Sequence, residues 1–341
     1  MTASNGSISV SAATFLADQA GLDLVNGGFA ILDSATNLEA TIDQLADAHV
    51  TDIVDLSDVP LVLTAAQVKN DQSILAKIVD PDGSAAKITI NDTASNVASF
   101  LATCPASSQI GSTVSSVLVV DTQANETYNL DRLNDSRITG IVDTTNHPIV
   151  ASTAQITRDA TALAKLRYQN GAPYQITVAD TAANIENGFA AIAANSHISL
   201  IQVSSGTFTA ADVTNWVSTL NKIQGGFVVA DTAANIVANV AQLHADTWYI
   251  RSVQVTDGTQ PTVSVHQFSW DHDVLDKVVG GFAVADTGYI LASNAASLQN
   301  DLAHITSIAS TSGPPSISVT WFLTYQSLFD KVTGGIARPM S

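Results

Sequence analysis

The segment FVVADTAANI, residues 227–236, decides the fold because related segments recur along the chain. The copies are FAILDSATNL (29–38), ITINDTASNV (88–97), ITVADTAANI (176–185), the weaker FAVADTGYIL (282–291) and the degraded VLVVDTQANE (117–126). Their marker aspartates are Asp33, Asp92, Asp121, Asp180, Asp231 and Asp286. The near-regular spacing of these aspartates, with one half-length gap, indicates a repeat architecture in which one supersecondary unit is used many times.

Each copy has the pattern of a short strand followed by a helix. In residues 227–243 the β-branched stretch predicts the strand. Asp231 or Thr232 can supply the N-cap oxygen of the helix. Ile236, Val240 and Leu243 then follow at i, i+4 and i+7, which places them on one apolar helical face.

A second element alternates with the first and also has the pattern of a strand followed by a helix. Examples are LVLTAAQVKNDQSILAKI from residue 61, GTFTAADVTNWVSTLNKI from 206, VSVHQFSWDHDVLDKV from 263 and ISVTWFLTYQSLFDKV from 317. Three copies run into a Gly-Gly pair at residues 225–226, 280–281 and 334–335. A further short strand follows His49, His197 and His304, so the unit is a β–α–β–turn–β–α arrangement or two βα half-units.

The repeat predicts an α/β fold, a right-handed parallel β/α solenoid that resembles a leucine-rich-repeat horseshoe, with about six units of ~50 residues. A βα half-unit cannot bury its own apolar face, so successive copies must stack into one core. A closed or doubly wound α/β domain is the alternative. We expect one continuous solenoid domain divided into a half repeat (1–26), repeats at 27–87, 117–175, 176–224, 225–279 and 280–333, a short half-length repeat (88–116) and the start of a truncated unit (334–341).

The DTAANI, TAAQ and LAKI blocks resemble the tandem repeats of large proteobacterial secreted and cell-surface proteins, which are often adhesin-like or type I-secreted. The resemblance covers nearly the whole chain, from about residue 8 to residue 332. It implies a repeat module with a structural or adhesive role. These families often carry Gly-Gly-x-Gly-x-Asp calcium nonapeptides, and this sequence has none.

Composition restricts the partners. The chain has 341 residues, with 13 Lys and Arg against 31 Asp and Glu, and a formal net charge of −18. Nucleic acid is therefore excluded as an expected partner, because phosphate binding needs clustered basic side chains. No apolar run reaches the ~20 residues of a membrane span, so membrane insertion is not expected. We predict a secreted or bacterial cell-surface location, without a Sec-type signal peptide in this chain.

The repeated carboxylates have two interpretations. Asp33, Asp92, Asp180, Asp231 and Asp286 could form a ladder of cation ligands, but helix capping explains their fixed place better, so we predict them to be structural caps. Asn37, Asn96, Asn184 and Asn235, which follow at fixed offsets, could form a ladder along the stack or be exposed on the helices.

One metal site and one aromatic surface are candidates. Asp271, His272 and Asp273 offer three ligands for a divalent cation such as Ca²⁺, although consecutive helical residues point in different directions. No other cofactor is expected. Trp270 and Trp321, at matching helix starts, and Tyr325 could stack on sugar rings, whereas core or end-cap packing is the alternative. His49, His197 and His304 occupy equivalent positions one unit apart and are not expected to share a metal.

The sequence predicts a non-catalytic structural or adhesive module whose surface binds a protein or a glycan at the cell surface. It has no G-x-S-x-G elbow, no papain-like cysteine context and no P-loop, so no catalytic residue is predicted. The alternative function is a polysaccharide-active enzyme built on a solenoid. End-to-end self-association is a further expectation, because solenoid ends without polar caps expose edge strands.

Overall fold

A computed structural model describes residues 8–315 and 317–336 of the chain. The Cα positions group into two compact units. The first unit comprises residues up to Ala151 together with residues 155–176, and the second comprises residues 152–154 together with residues from 177 onward. Both units alternate short strands with short helices, as the repeat predicts.

The elements that precede residue 170 are short strands and short helices. The strands are β1 (Ser9–Val10), β2 (Phe29–Asp33), β3 (Val50–Asp55), β4 (Leu61–Leu63), β5 (Ile78–Val79), β6 (Ile88–Asp92), β7 (Val114–Asp121), β8 (Ile138–Asp143), β9 (Ile149–Ala151) and β10 (Leu166–Tyr168). The helices are α1 (Ala12–Ala17), α2 (Gln19–Leu22), α3 (Ala35–Thr41), α4 (Ala65–Asn70), α5 (Gln72–Leu75), α6 (Ala94–Thr103), α7 (Gln109–Thr113), α8 (Gln123–Asn129), α9 (Thr153–Arg158) and α10 (Ala160–Leu163), with 3-10 turns at Ile42–Gln44 and Leu130–Arg132.

The elements that follow residue 170 continue the same alternation. The strands are β11 (Ile176–Asp180), β12 (Ile198–Val203), β13 (Phe227–Asp231), β14 (Ile250–Val255), β15 (Thr262–Val263), β16 (Phe282–Asp286), β17 (Ile305–Ser310) and β18 (Val332–Thr333). The helices are α11 (Ala182–Asn187), α12 (Phe189–Ala194), α13 (Ala210–Leu220), α14 (Ala233–Ala238), α15 (Val240–Ala245), α16 (Val265–Leu275), α17 (Gly288–Ser293), α18 (Ala295–Asn300), α19 (Val319–Thr324) and α20 (Gln326–Phe329).

The strands pair in parallel within several small sheets. In the first unit, one sheet has the order β1-β2-β3-β5 and another has the order β4-β6-β7-β8-β10. In the second unit, β13 pairs with β14, and another sheet has the order β15-β16-β17-β18. Paired residues are close in sequence, as in the pairs Ser9 with Ala30 and Thr89 with Ser116. Each of these strands therefore pairs with the strand of a neighbouring βα turn.

Inward-facing aliphatic and aromatic residues form the core. In α14 and α15 the buried residues Ile236, Val240 and Leu243 form the helical face that the sequence predicts. The strands contribute fully buried aromatic rings at their first positions, namely Phe29, Phe227 and Phe282. Strands β6 and β11 begin with the buried aliphatic residues Ile88 and Ile176 instead, so a buried apolar residue recurs at this strand position.

A lysine side chain stabilises the loop before several strands. Lys277 Nζ donates to the carbonyl oxygens of Thr247 and Ile250, each at 2.5 Å. Lys331 Nζ makes the same pair of bonds to Leu302 (2.6 Å) and Ile305 (2.5 Å). Lys77 and Lys165 also donate to loop carbonyls one turn earlier. The recurring lysine of the LAKI and LDKV blocks thus joins consecutive turns.

The Gly-Gly pairs lie in the turns before the following strands. In the pair at 280–281, both residues have positive φ, at 87° and 75°. A Cβ atom on Gly281 would lie 2.2 Å from the carbonyl oxygen of His304, and one on Gly226 would lie 2.3 Å from that of Tyr249. Glycine is needed at the second position because the neighbouring backbone comes this close.

The α/β class with parallel sheets is confirmed. The repeat boundaries at 1–26, 27–87, 88–116, 117–175, 176–224, 225–279 and 280–333 stay predictions, as does the single continuous domain. Of the segment 334–341, residues 337–341 lie outside the described residues, as do residues 1–7 of the first half repeat.

Candidate functional site

The marker aspartates connect consecutive turns through both carboxylate oxygens. One oxygen accepts a hydrogen bond of 2.9–3.1 Å from the first backbone N–H of a helix in a neighbouring, earlier turn. The other oxygen accepts a hydrogen bond of 2.7–2.9 Å from the backbone N–H of the residue that follows the aspartate. The pairs across turns are Asp33 with Ala12, Asp92 with Ala65, Asp121 with Ala94, Asp180 with Thr153, Asp231 with Ala210 and Asp286 with Val265. We call each of these a carboxylate bridge.

The N-cap of each following helix is the residue after the aspartate. The hydroxyl groups of Ser34, Thr93, Thr181, Thr232 and Thr287 accept the bond from the third helical N–H. This corrects the prediction that Asp33, Asp92, Asp180, Asp231 and Asp286 are themselves the caps of these helices. Each aspartate is instead the last residue of a strand, where its two oxygens can reach two successive turns.

The asparagines donate to the carboxylate bridges. The Nδ2 atoms of Asn37, Asn96, Asn125, Asn184 and Asn235 lie 2.6–2.8 Å from the aspartate oxygen of their own turn. For Asp180, burial raises the pKa, but the bonds from Asn184 and from the backbone N–H groups outweigh burial and lower it. Donors within the fold thus favour the ionised form of Asp180. The same pattern of bonds explains the recurrence of the marker aspartates without a bound cation.

Two sets of one histidine and two aspartates converge in equivalent turns. His49 lies with Asp23 and Asp47, and His304 lies with Asp276 and Asp301; the ligand atoms of each set lie within 4.8 Å of one another. His304 Nδ1 is 2.6 Å from Asp301 Oδ1 and 3.2 Å from Asp276 Oδ1. The hydrogen bond that His304 donates to the Asp301 carboxylate, with the charge of Asp276, raises the pKa of the His304 imidazole.

The predicted metal ligands Asp271, His272 and Asp273 do not form such a set among residues 8–315 and 317–336. Asp271 is buried in the packing of α16, whereas His272 and Asp273 are exposed and pair with each other at 2.9 Å. Successive helical positions separate the three side chains, and this is the physical reason for the correction. His272 nevertheless lines a cavity of about 390 Å³ together with Asp276 and Asp301.

The predicted aromatic surface divides into two ring pairs. Trp270 is 68% exposed and lies near His266, with ring centroids 6.2 Å apart. Trp321, which is 41% exposed, makes an edge contact of 5.5 Å with the half-buried Tyr325. Both tryptophan rings are exposed to solvent. This favours a surface role over core packing, because a tryptophan that packs in the core would be buried.

One buried carboxyl group was missed by the sequence analysis. Glu126 on α8 is fully buried, and its two carboxyl oxygens are enclosed with no hydrogen-bond partner in the described part of the chain. Burial raises its pKa to about 8, and the charges of Asp143 and Asp121 contribute to this rise. The sequence contains a signal for this buried acid: the degraded copy at 117–126 ends in glutamate, where the other copies have an aliphatic residue.

Comparison with known proteins gives no assignment. No protein-family model matches the sequence, and no curated protein matches it significantly. In the part of the chain that the structure describes, no helix combines the length and apolar character needed to cross a membrane.

Proposed function

We propose that this chain is a non-catalytic structural and adhesive repeat module of a bacterial extracellular or cell-surface protein. In each unit its βα turns would stack as a right-handed parallel solenoid in the manner of a leucine-rich-repeat protein. The observation that carries the proposal is the carboxylate bridge, which occurs six times among the described residues with the same kind of donor and links each turn that carries a marker aspartate to a preceding turn. Right-handed crossovers are the rule for parallel strands joined through a helix.

Deleting residues 225–279 should leave a folded, shorter protein. The deletion joins Gln224 to Gly280 and restores the lysine–Gly-Gly junction present at the other repeats. A solenoid tolerates loss of a whole repeat because each turn contacts only its neighbours. Far-UV circular dichroism per residue should be unchanged, and urea unfolding should stay cooperative.

A matched deletion distinguishes the solenoid from a closed α/β domain. Removing residues 225–264 deletes less chain but joins Gln224 to Val265 without a Gly-Gly pair, so it should disrupt folding. If the deletion of 225–279 is as disruptive as this one, the solenoid proposal is wrong.

The proposed partner is a cell-surface glycan or protein that contacts the exposed aromatic side chains. If it is a glycan, a thermal-shift screen with oligosaccharides should find one that raises Tm. Trp270→Ala should weaken its binding at least tenfold, because a sugar ring loses its stacking partner. Trp248, 94% exposed, is the matched control, and Trp248→Ala should bind like the wild type. Equal effects of both variants would contradict a specific role for Trp270.

Self-association is the remaining element of the proposal. Among the described residues, β1 lies at the end of its sheet order in the first unit, and a sheet edge can accept a strand from another copy. Light scattering over a range of concentrations should show the mass increasing; a strict monomer at high concentration would contradict it.

A further inference from the structure

We propose that the Asp276–Asp301–His304 set in the second unit is a binding site for a divalent transition metal such as Zn²⁺. The inference is independent of the proposed function. One imidazole nitrogen and two carboxylate oxygens are supplied by two separate elements, the end of α16 and the loop before β17. This donor set suits Zn²⁺, Ni²⁺ and Cu²⁺, whereas Ca²⁺ and Mg²⁺ prefer oxygen donors alone.

One carboxylate of this set has an enclosed oxygen without a donor among the described residues, as the equivalent Asp246 also has; only at Asp301 does a histidine with a second aspartate lie beside it. Asp301 Oδ1 faces His304, but Asp301 Oδ2 is buried and has no hydrogen-bond partner in the described part of the chain. The side chain of Asp301 is only 18% exposed. A buried carboxylate oxygen without a donor is unfavourable, and a bound cation would remove that cost.

The loop that carries the ligands is already held in place. Lys331 Nζ bonds to the carbonyls of Leu302 and Ile305 on either side of His304. The carbonyl of His304 accepts from the Phe282 N–H at 3.0 Å, in the space that Gly281 leaves open. A metal would therefore meet a preorganised site, with less ordering cost on binding.

The adjacent cavity leaves room for the remaining metal ligands. Asp276 and Asp301 line the cavity of about 390 Å³, and His272 is on its wall. Water can fill the open coordination positions from this side, and His272 is a second imidazole within the same cavity. The cavity thus gives a metal ion a path from solvent to the two carboxylates.

Other turns carry different residues at the positions equivalent to Asp276, Asp301 and His304. The turn before β14 has Asn221, Asp246 and Tyr249 in place of Asp276, Asp301 and His304. The turn before β8 has Arg137, whose guanidinium pairs with both oxygens of Asp135 at 3.0 Å. Arginine keeps its positive charge permanently, whereas His304 can release its proton and bind a cation through the freed nitrogen.

The set formed by Asp23, Asp47 and His49 in the first unit offers a weaker version of the site. There, both oxygens of Asp47 already accept hydrogen bonds, from Gln19 and from the backbone and ring of His49. A metal would have to displace one of these donors. We therefore expect tighter binding at Asp276–Asp301–His304 than at this first set.

Isothermal titration of the full, untagged chain with ZnCl₂ tests the proposal. The protein is treated with EDTA, exchanged into a non-chelating buffer at pH 7.5 and titrated in parallel with ZnCl₂ and CaCl₂. We expect a Zn²⁺ site in the micromolar range and Ca²⁺ binding at least tenfold weaker. Absence of Zn²⁺ binding below 1 mM, or equal affinity for Ca²⁺, would overturn the proposal.

The variants use residues that the chain itself carries at the equivalent positions. Asp276→Asn and His304→Tyr introduce the residues found at 221 and 249, so they should fold, which circular dichroism checks. Each should weaken the tightest Zn²⁺ binding at least tenfold, and His49→Tyr should leave it unchanged. If both variants bind Zn²⁺ within twofold of the wild type, the site is elsewhere and the assignment is wrong. Visible absorption of the Co²⁺ form would report the loss of the nitrogen ligand in His304→Tyr.

Discussion

Replacing Glu126 by leucine is expected to raise the free energy of unfolding at pH 7 by about 3 kcal/mol. The side chain is fully buried on α8, which packs against α6 and β9. Neither of these two elements carries a charged residue. The equivalent position in the other copies holds a buried aliphatic residue: Leu38, Val97, Ile185, Ile236 and Leu291. Leucine at 126 would therefore restore the repeat's own core residue and remove a buried group that has no hydrogen-bond partner in the described part of the chain.

The effect should depend on pH in a defined direction. The pKa of Glu126 is raised in the folded protein from its ordinary value of 4.5 to about 8, by burial first and then by Asp143 and Asp121. Between these values the unfolded chain releases the proton while the folded chain retains it. Stability is thus fully present below pH 4.5 and decreases by about 1.4 kcal/mol per pH unit until the folded group ionises near pH 8.

Urea unfolding from pH 5 to pH 9, followed by far-UV circular dichroism, measures this slope. Hydrogen exchange of the α8 amides would show that the change arises there. Glu126→Gln should remove the same slope but stabilise less, because its amide stays buried. Ile236→Leu is the control, with a change below about 1.5 kcal/mol and no new slope. If the wild type and Glu126→Leu have parallel pH profiles, Glu126 is not a buried acid.

Removing one carboxylate bridge is expected to destabilise the protein by about 3 kcal/mol. Asp231 is buried and accepts from the Ala210 N–H (3.1 Å), the Thr232 N–H (2.8 Å) and Asn235 Nδ2 (2.7 Å). Asp231→Ala would leave the buried N–H of Ala210 without an acceptor and separate α13 from the turn of β13. Asp231→Asn keeps one acceptor oxygen and should lose roughly half as much.

Tryptophan fluorescence during urea unfolding measures this loss, because Trp216 lies on α13. Thr232→Ala is the matched control: it removes only the N-cap bond to Asn235, at a cost of about 1 kcal/mol. A loss for Asp231→Ala no greater than that for Thr232→Ala would show that the bridge across turns contributes nothing beyond capping.

The sequence predicted the repeating elements better than it predicted what the aspartates do. Strand β13 and the buried face formed by Ile236, Val240 and Leu243 follow from hydrophobic spacing, which acts within one turn. The second oxygen of Asp231 binds the N–H of Ala210 in the preceding turn, and no local pattern specifies that partner. The carboxylate was therefore predicted to cap its own helix, a role that Thr232 performs.

The candidate site was missed for the same reason. The predicted metal ligands Asp271, His272 and Asp273 are neighbours in sequence, but the helix directs their side chains apart. Asp276 is distant in sequence from Asp301 and His304, and the three meet only because consecutive turns stack. Comparison with Arg137 and Tyr249 at the equivalent positions separates the turns of His49, His197 and His304 from the others, but it does not single out His304.

The short sequence distance between paired strands has a consequence for how the protein folds. In pairs such as Ser9 with Ala30 and Thr89 with Ser116, the partners are separated by a single βα turn, so pairing closes a small loop at modest entropic cost. Folding can then begin in any turn whose local contacts form first and extend to its neighbours. A newly synthesised chain could order each turn as it leaves the ribosome, without waiting for distant segments to be made.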